Sequence, residues 1–391
     1  MTDQTSLKFG GVDWATDEHV VCVVDDDGRV CDEFEVEHAE AGLRQLCRRL
    51  LDNGVERVAI ERPDGPVVAA MMEAGLEVVV VVSRSVKAFR QRYSTSGSKS
   101  DRRDAFVLAD CLRSDGHRWP SLQPDTPATV TLRSHVRARQ DLVGTRVAVT
   151  NQLRAHLQIN FPGAVGLFAE LDGLVSRRFL RRFTSENDAA WLTEKRLGNW
   201  LRSAGYNNKR PAAALFEHLQ RAPKGPTGAE ATARAKVAIA YVEVIDTLIE
   251  QIRHLETLMS ELLETHPDAH IFRSLPRCGT IRAATMLAEI GDCRAKFPDA
   301  TSLVCLAGVA PSTRASGRHR SVTFRYSANS RLRNVMCSFA GDSRNANQWA
   351  AHRYQQLRED GKRHPHAERI LARTWTQIIW RCWQDNVPYD P

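Results

Sequence analysis

The order of short apolar periodicities over about the first 80 residues restricts the fold more than any other feature of the chain. Residues 7–13 and 19–24 read as strands, the turn Asp25-Asp26-Asp27-Gly28 follows, and residues 30–36 make a third strand. A helix starts at Ala39, with Leu43, Leu46, Leu50 and Leu51 on one face, and stops at Asn53-Gly54. Residues 58–61 form a short buried strand broken by Pro63, residues 67–74 a helix closed by Gly75, and residues 78–82 a fifth strand. Strands in hairpin succession followed by alternating helix and strand predict an α/β domain with a mixed, ribonuclease-H-like (Holliday-junction-resolvase-like) sheet.

Four acids fall at telling places in this pattern. Asp13 ends the first strand and Glu61 the fourth, while Asp101 and Asp104 stand three apart at the start of a helix running to about residue 115, with Ser98 or Ser100 as its cap. Residues i and i+3 share a helix face, so both carboxylates can point the same way. Gathering like charges is unfavourable unless a cation neutralises them, and hard oxygen ligands suit Mg2+ or Mn2+. Two such ions can clamp the attacking and leaving oxygens of a phosphodiester. Each acid also has an ordinary reading: Asp101 and Asp104 favour the positive end of their own helix.

The middle of the chain reads as two long helices, residues 131–160 and 229–264. The second is striped by Val237, Tyr241, Val244, Leu248, Ile252, Leu255, Met259 and Leu262, near-heptad steps that suit a coiled-coil seam within or between chains. Between them lie helical pieces around Trp191, Trp200 and Phe216 and a linker-like Pro223-Lys224-Gly225-Pro226. Beyond them, residues 271–292 predict a helix, a tight turn from Pro276 to Gly279 and a second helix: a helix-hairpin-helix whose exposed amides can hold a phosphate. The last apolar helix, with Ile370, Leu371, Trp375, Ile378, Ile379 and Trp383, is core. The resulting division is 1–125, an α/β domain; 126–265, long helices with an insertion around 162–228; and 266–391, a helical C-terminal domain.

With 54 basic and 47 acidic residues the chain carries only +7, so placement matters more than total. Arg84, Lys87, Arg90 and Arg92 form one cluster. Arg177, Arg178, Arg181 and Arg182 form a second, interleaved with Phe179 and Phe183, rings that could stack on bases; Arg314, Arg318, His319, Arg320 and Arg325 form a third. Together they point to a polyanionic partner, although any one cluster could be a solvated helix face. The nine cysteines show no pair at zinc-site spacing and read as reduced thiols of a cytoplasmic protein.

At these residues the chain resembles the insertion-sequence transposases with an N-terminal DEDD acid quartet (the one-ten family of insertion sequences). That family includes site-specific DNA invertases and members guided by a structured bridge RNA. Gly11-Val12-Asp13-Trp14-Ala15, Ile60-Glu61, Lys99-Ser100-Asp101 and Asp104-Ala105 look like its four acids in order. Leu275-Pro276, Gly279, Ala283-Ala284, Glu289-Ile290-Gly291-Asp292, Ala307-Gly308, Pro311 and Ser316-Gly317 look like its C-terminal domain. Two departures stand out: Pro276-Arg277-Cys278-Gly279 replaces the family's Pro-Gly-x-Gly turn, and Arg62-Pro63-Asp64-Gly65 follows Glu61, which makes Asp64 a substitute ligand candidate.

The resemblance implies a recombinase in which Ser316 attacks a phosphodiester and becomes joined to DNA. Asp13, Glu61, Asp101 and Asp104 would bind magnesium (or manganese), and a structured guide RNA would select donor and target DNA. Arg277, Gly279, Arg314, Arg318, Arg320, Arg177 and Arg178 are candidate nucleic-acid contacts, and a dimer or tetramer of the chain is expected. Two rivals remain open on the residues alone. One is a junction nuclease that uses water and only contacts phosphate through Ser316; the other is a non-catalytic nucleic-acid-binding protein.

Overall fold

The computed structural model describes residues 7–93, 100–207, 210–317 and 319–391, with Arg320 by its backbone only. The chain divides into two compact units, 1–124 and 125–391.

In the first unit β1 (Lys8–Trp14), β2 (Glu18–Val24) and β3 (Val30–Glu37) pair antiparallel, and β4 (Val55–Ile60) and β5 (Glu77–Val80) extend the sheet in parallel from the other side of β1. The order is β3-β2-β1-β4-β5. Parallel neighbours need crossovers, and α1 (Glu40–Asp52) and α2 (Pro66–Glu73) supply them. Their Leu46, Leu50, Val67 and Met71 pack on Val12, Val21, Val58 and Ile60 of one sheet face. After α3 (Ser83–Tyr93), α4 (Asp101–Asp115) covers the other face, where Val107, Leu108 and Cys111 meet Ala59 and Val79. Ser100 caps α4, its Oγ accepting the Arg103 amide at 3.4 Å, whereas Ser98 lies outside the described residues.

Gly11 decides how close α4 comes. A Cβ there would stand 2.2 Å from the Ala105 carbonyl oxygen and 2.4 Å from the Ala109 nitrogen, so the helix backbone rests directly on β1.

Among the described residues the second unit is helical apart from one hairpin. α5 (Pro127–Asn160) begins earlier than its apolar stripe suggests, because Thr126 caps it and Pro127 occupies its first turn. It lies antiparallel to α10 (Gly228–Thr265): Thr129 meets His266 at 2.8 Å, Arg139 meets Glu256 at 2.6 Å, and His156 meets the Arg234 carbonyl at 2.8 Å. The face α10 buries is offset from the stripe read in sequence. Ala238, Val242, Ile245, Ile252, Met259 and Leu263 are buried, whereas Val237 and Val244 are 44% and 47% exposed. The helix is apolar on more than one side, and periodicity cannot say which side meets α5.

Between the long helices, α6 (Leu174–Arg182), α7 (Glu186–Ala189), α8 (Glu194–Ser203) and α9 (Ala212–Arg221) share a core with them. Phe179 and Phe183 sit in that core, which removes them as base-stacking rings.

The rest comprises α11 (Ala269–Arg273), α12 (Thr280–Ile290), α13 (Ala300–Leu306), the hairpin β6 (Ser312–Ser316) and β7 (His319–Thr323), then α14 (Ser330–Ser343), α15 (Gln348–Glu359) and α16 (His364–Asp385). Trp375, Ile379 and Trp383 of α16 pack against Phe272, Met286 and Phe339. The motif Glu289-Ile290-Gly291-Asp292 works as a clasp on α5. Glu289 takes two bonds from Arg137, each 3.1 Å, and one from Asn329 at 2.7 Å. Asp292 accepts the Thr126 amide at 3.0 Å. Gly291, at φ 91°, is required, since a Cβ would lie 2.3 Å from Asp125 Oδ1. Among the described residues no helix is long and apolar enough to cross a membrane.

Candidate functional site

The sheet register carries two of the four acids to neighbouring strand ends. Val12 of β1 pairs with Ile60 of β4, so Asp13 and Glu61 are the next residues along adjacent parallel strands. α4 runs back against β1. Its C-terminal side reaches the β2–β3 turn, where Arg113 bonds the Asp26 carbonyl at 3.0 Å, beyond the N-terminal part of β1. Its N-terminal side therefore points to the Asp13 end. Arg102 bonds Glu35, whose partner Val20 pairs in turn with Asp13. Asp13, Glu61, Asp101 and Asp104 thus belong to one end of the sheet, with Gly11 setting the approach of the helix.

Their surroundings differ sharply. Asp104 is 1% exposed and held by Arg90 of α3 through contacts of 2.5 and 2.6 Å. Glu61 accepts the Ser83 hydroxyl at 2.7 Å. Asp101 is exposed, and exposed Asp64 pairs with Arg62 at 3.2 Å. A divalent cation does not fit the acids as they stand. Among the described residues no three Asp, Glu, His or Cys side chains gather closely enough to hold one, and Arg90 already balances the charge of Asp104. Both ends of α3 therefore touch the quartet. Sequence reading missed this because Arg90 looked like one more member of a basic cluster, and no local spacing ties it to Asp104.

The candidate nucleophile stands in the second unit. Ser316 ends β6 and pairs directly with His319 of β7, across the turn at Gly317. Directly opposed residues have Cβ atoms about 5 Å apart on the same face, and alternate residues share that face. Arg314, paired with Ser321, therefore joins Ser316 and His319 on one side of an exposed ribbon. The signal available in sequence was the two-residue spacing Ser316-Gly317-x-His319, which is hairpin spacing. Arg318 lies outside the described residues, and of Arg320 only the backbone pairing with Ala315 is described.

The α11–α12 turn resolves one departure. Arg277 takes φ 55°, the left-handed region that glycine enters without cost, so it adopts there a conformation suited to the glycine it replaces. Arg277 and Gly279 are both exposed. Between them Cys278 is core: burial pushes its thiol up to about 12, with Arg282 opposing weakly. Of the arginines on α6, Arg178 is exposed and bonds the Ala204 carbonyl at 3.0 Å. Arg177 corrects the expectation of a nucleic-acid contact. It is 7% exposed and ion-paired with Asp246, so its guanidinium is committed inside the fold.

Two family models match the chain: a DEDD transposase model over residues 10–162, which spans the acid quartet, and a transposase model of the IS116/IS110/IS902 family over residues 269–355, which spans Ser316. The mini-circle putative transposase for IS117 of Streptomyces coelicolor is 30% identical over 100% of this chain and 97% of its own length. The chain belongs to the IS110 family of transposases. An uncharacterized 42 kDa protein of insertion element IS900 from Mycobacterium paratuberculosis is 27% identical over 98% of this IS110-family chain and 97% of its own. A putative transposase of Sinorhizobium fredii is 36% identical over 44% of the chain and 49% of its own length. Transposases cleave and recombine DNA, so membership identifies the enzyme class and makes DNA a substrate.

Proposed function

We propose that this IS110-family transposase cuts and rejoins DNA through Ser316. The observation that carries the reading is the exposed ribbon face on which Ser316, His319 and Arg314 stand together. The Ser316 hydroxyl attacks the scissile phosphorus, its proton passes to His319, and the bond from phosphorus to the leaving DNA oxygen breaks as that oxygen takes up a proton. Arg314 faces the charge that grows on the phosphoryl oxygens. The phosphoserine bond conserves the energy of the phosphodiester, so reversal by a new DNA hydroxyl reseals the strand.

The N-terminal domain is ribonuclease-H-like on this reading, supported by the strand order and the helix-covered faces, and the α11–α12 turn is a helix-hairpin-helix. The three-part division at 125 and 265 goes with it. Asp13, Glu61, Asp101 and Asp104 are the place for magnesium or manganese, and holding either there requires Arg90 to leave Asp104. A bound cation would supply charge neutralisation at the phosphate.

Arg277, Gly279, Arg314, Arg318, Arg320 and Arg178 contact nucleic acid, including a structured guide RNA that selects donor and target. A homo-oligomer forms through the long helices, supported by Val237 and Val244, exposed and seven residues apart on α10. The protein acts in the cytoplasm.

The test is a denaturing assay of protein with labelled element-end DNA and magnesium, followed by mapping of the linked peptide. An adduct on Ser316, lost with strand exchange in Ser316→Ala while DNA binding persists, is expected. Cleavage with water and no adduct would hand the case to the nuclease rival, and an adduct on Ser312, Ser321 or Tyr326 would move the nucleophile.

A further inference from the structure

The foot of the serine hairpin encloses a hollow that the reaction above does not use. Its volume is about 590 Å³, within the range of small-molecule pockets. The floor is apolar, built from Val309, Pro311, Val322, Phe324 and Ile370, and the rim carries Arg325, Lys362, Arg369 and Arg373. Among the described residues no carboxylate lines it and none of these four cations is ion-paired. The guanidinium carbons of Arg333 and Arg369 lie 4.6 and 4.8 Å from the Phe324 ring centre, and Arg369 and Phe324 both line the hollow, a guanidinium held over an aromatic ring. The buried Nε of Arg325 has no hydrogen-bond partner.

A second hollow of about 500 Å³ adjoins the first, again without a carboxylate, and Lys362, His366 and Arg369 line both. The first hollow sets an apolar floor beside a cationic ridge, and the second, lined otherwise by Gly361, Arg363 and Pro365, continues that ridge, an order that matches a nucleotide base followed by its phosphates. A duplex presents stacked, paired bases and could offer this hollow only phosphates, whereas an unpaired base can lie on the floor and stack on a guanidinium.

We propose that these two hollows form a site for one unpaired nucleotide of a single strand and the phosphates that flank it, the base on the apolar floor beside Phe324 and the phosphates on Lys362, His366 and Arg369. The strand is DNA or RNA, whose shared chemistry here is an unpaired base next to a phosphodiester. Both feet of the hairpin, Pro311 before β6 and Val322 to Phe324 at the end of β7, form part of the floor. Four residue steps along β6 place Ser316 about 13 Å from the foot. A strand seated in the hollow therefore steadies the ribbon that carries Ser316. The inference rests on the reading that this unit handles nucleic acid, and does not need Ser316 to be the nucleophile.

Full-length protein is titrated with fluorescent 12-mer single strands, one arm DNA and one RNA, and with a duplex of the same sequence. Lys362→Ala combined with Arg369→Ala is expected to weaken single-strand binding about tenfold and to lower the log–log salt slope by about 1.4, the value for two lost phosphate contacts. Duplex affinity is expected to change less than twofold. Val322→Glu, at a position 61% exposed and so compatible with folding, places a charge on the floor and is expected to give a similar loss. A 5-iodouracil strand is expected to photocross-link to Phe324. The arm showing the loss identifies the strand. Unchanged single-strand affinity in both variants, equal losses for strand and duplex, or cross-links confined elsewhere would overturn the site while leaving the broader function standing. Failure of the unsubstituted protein to bind any nucleic acid would overturn both.

Discussion

Arg90 and Asp104 show how much one side chain can control. A carboxylate that is 1% exposed is costly without a counter-charge, and the guanidinium of Arg90 supplies it at 2.5 Å. The same pairing keeps Asp104 from acting as an open ligand. Arg90→Gln is accordingly expected to lower stability by about 3 kcal/mol in chelator, the order of cost for a buried charge stripped of its partner. Magnesium is expected to recover part of that loss, and to raise the unfolding midpoint of the variant more than that of the original protein. Thermal unfolding with and without magnesium checks this; identical magnesium responses in the two proteins would remove the quartet as a cation site.

The contact between β1 and α4 is the element on which the acid cluster depends. Gly11 lets the helix backbone touch the strand, and the helix then carries Asp101 and Asp104 to the end of the sheet that bears Asp13 and Glu61. Gly11→Ala pushes a methyl into the Ala105 carbonyl and is expected to destabilise the protein by roughly 3 kcal/mol, at the upper end for overpacking. Chemical denaturation measures it, and an unchanged midpoint would mean that α4 rides higher on the sheet than described. α3 answers a different need: it has one buried residue, Val86, and its two ends meet Glu61 and Asp104. In the sequence its Arg84, Lys87, Arg90 and Arg92 stand out as a charge cluster and hide the helix.

At the scale of the whole chain, buried histidines and carboxylates set the response to acid. Burial, reinforced by the charge of neighbouring His38, pulls His19 down to about 4 from its ordinary 6.5. Burial likewise lowers His266, against the pull of Asp268 and Asp292. The folded protein keeps both rings neutral while the unfolded chain protonates them near 6.5. Their contribution is therefore complete above that pH and is lost as pH falls toward the folded values. A second loss follows at lower pH. Burial alone would raise the Glu289 carboxyl, but Arg137 and Asn329 outweigh it and hold it below 4.5, so its contribution fades as pH drops through the carboxylate range. Urea midpoints from pH 8 to 3.5 are expected to decline from about 6.5 downward, with His19→Gln flattening the first part of the curve; a flat profile between pH 7 and 5 would contradict the burial of these rings.

The sequence by itself determined the strands of the first unit, the two long helices and the helix that opens at Asp101. Period-two runs with Asp-Gly and Asn-Gly turns specified the strands of the first unit, long 3.6-period stripes specified α5 and α10, and the spacing of Asp101 and Asp104 placed both on one helical face. These are local properties, written in the rotation per residue and the turn chemistry of neighbouring positions. Only the tertiary structure decided which face of α10 is buried, that Phe179, Phe183 and Arg177 belong inside rather than against a ligand, and that Arg90 and Ser83 answer the acids from another helix. Those outcomes depend on which surfaces meet across tens of residues, where burial and charge pairing outweigh propensity, and no local pattern encodes such a partner.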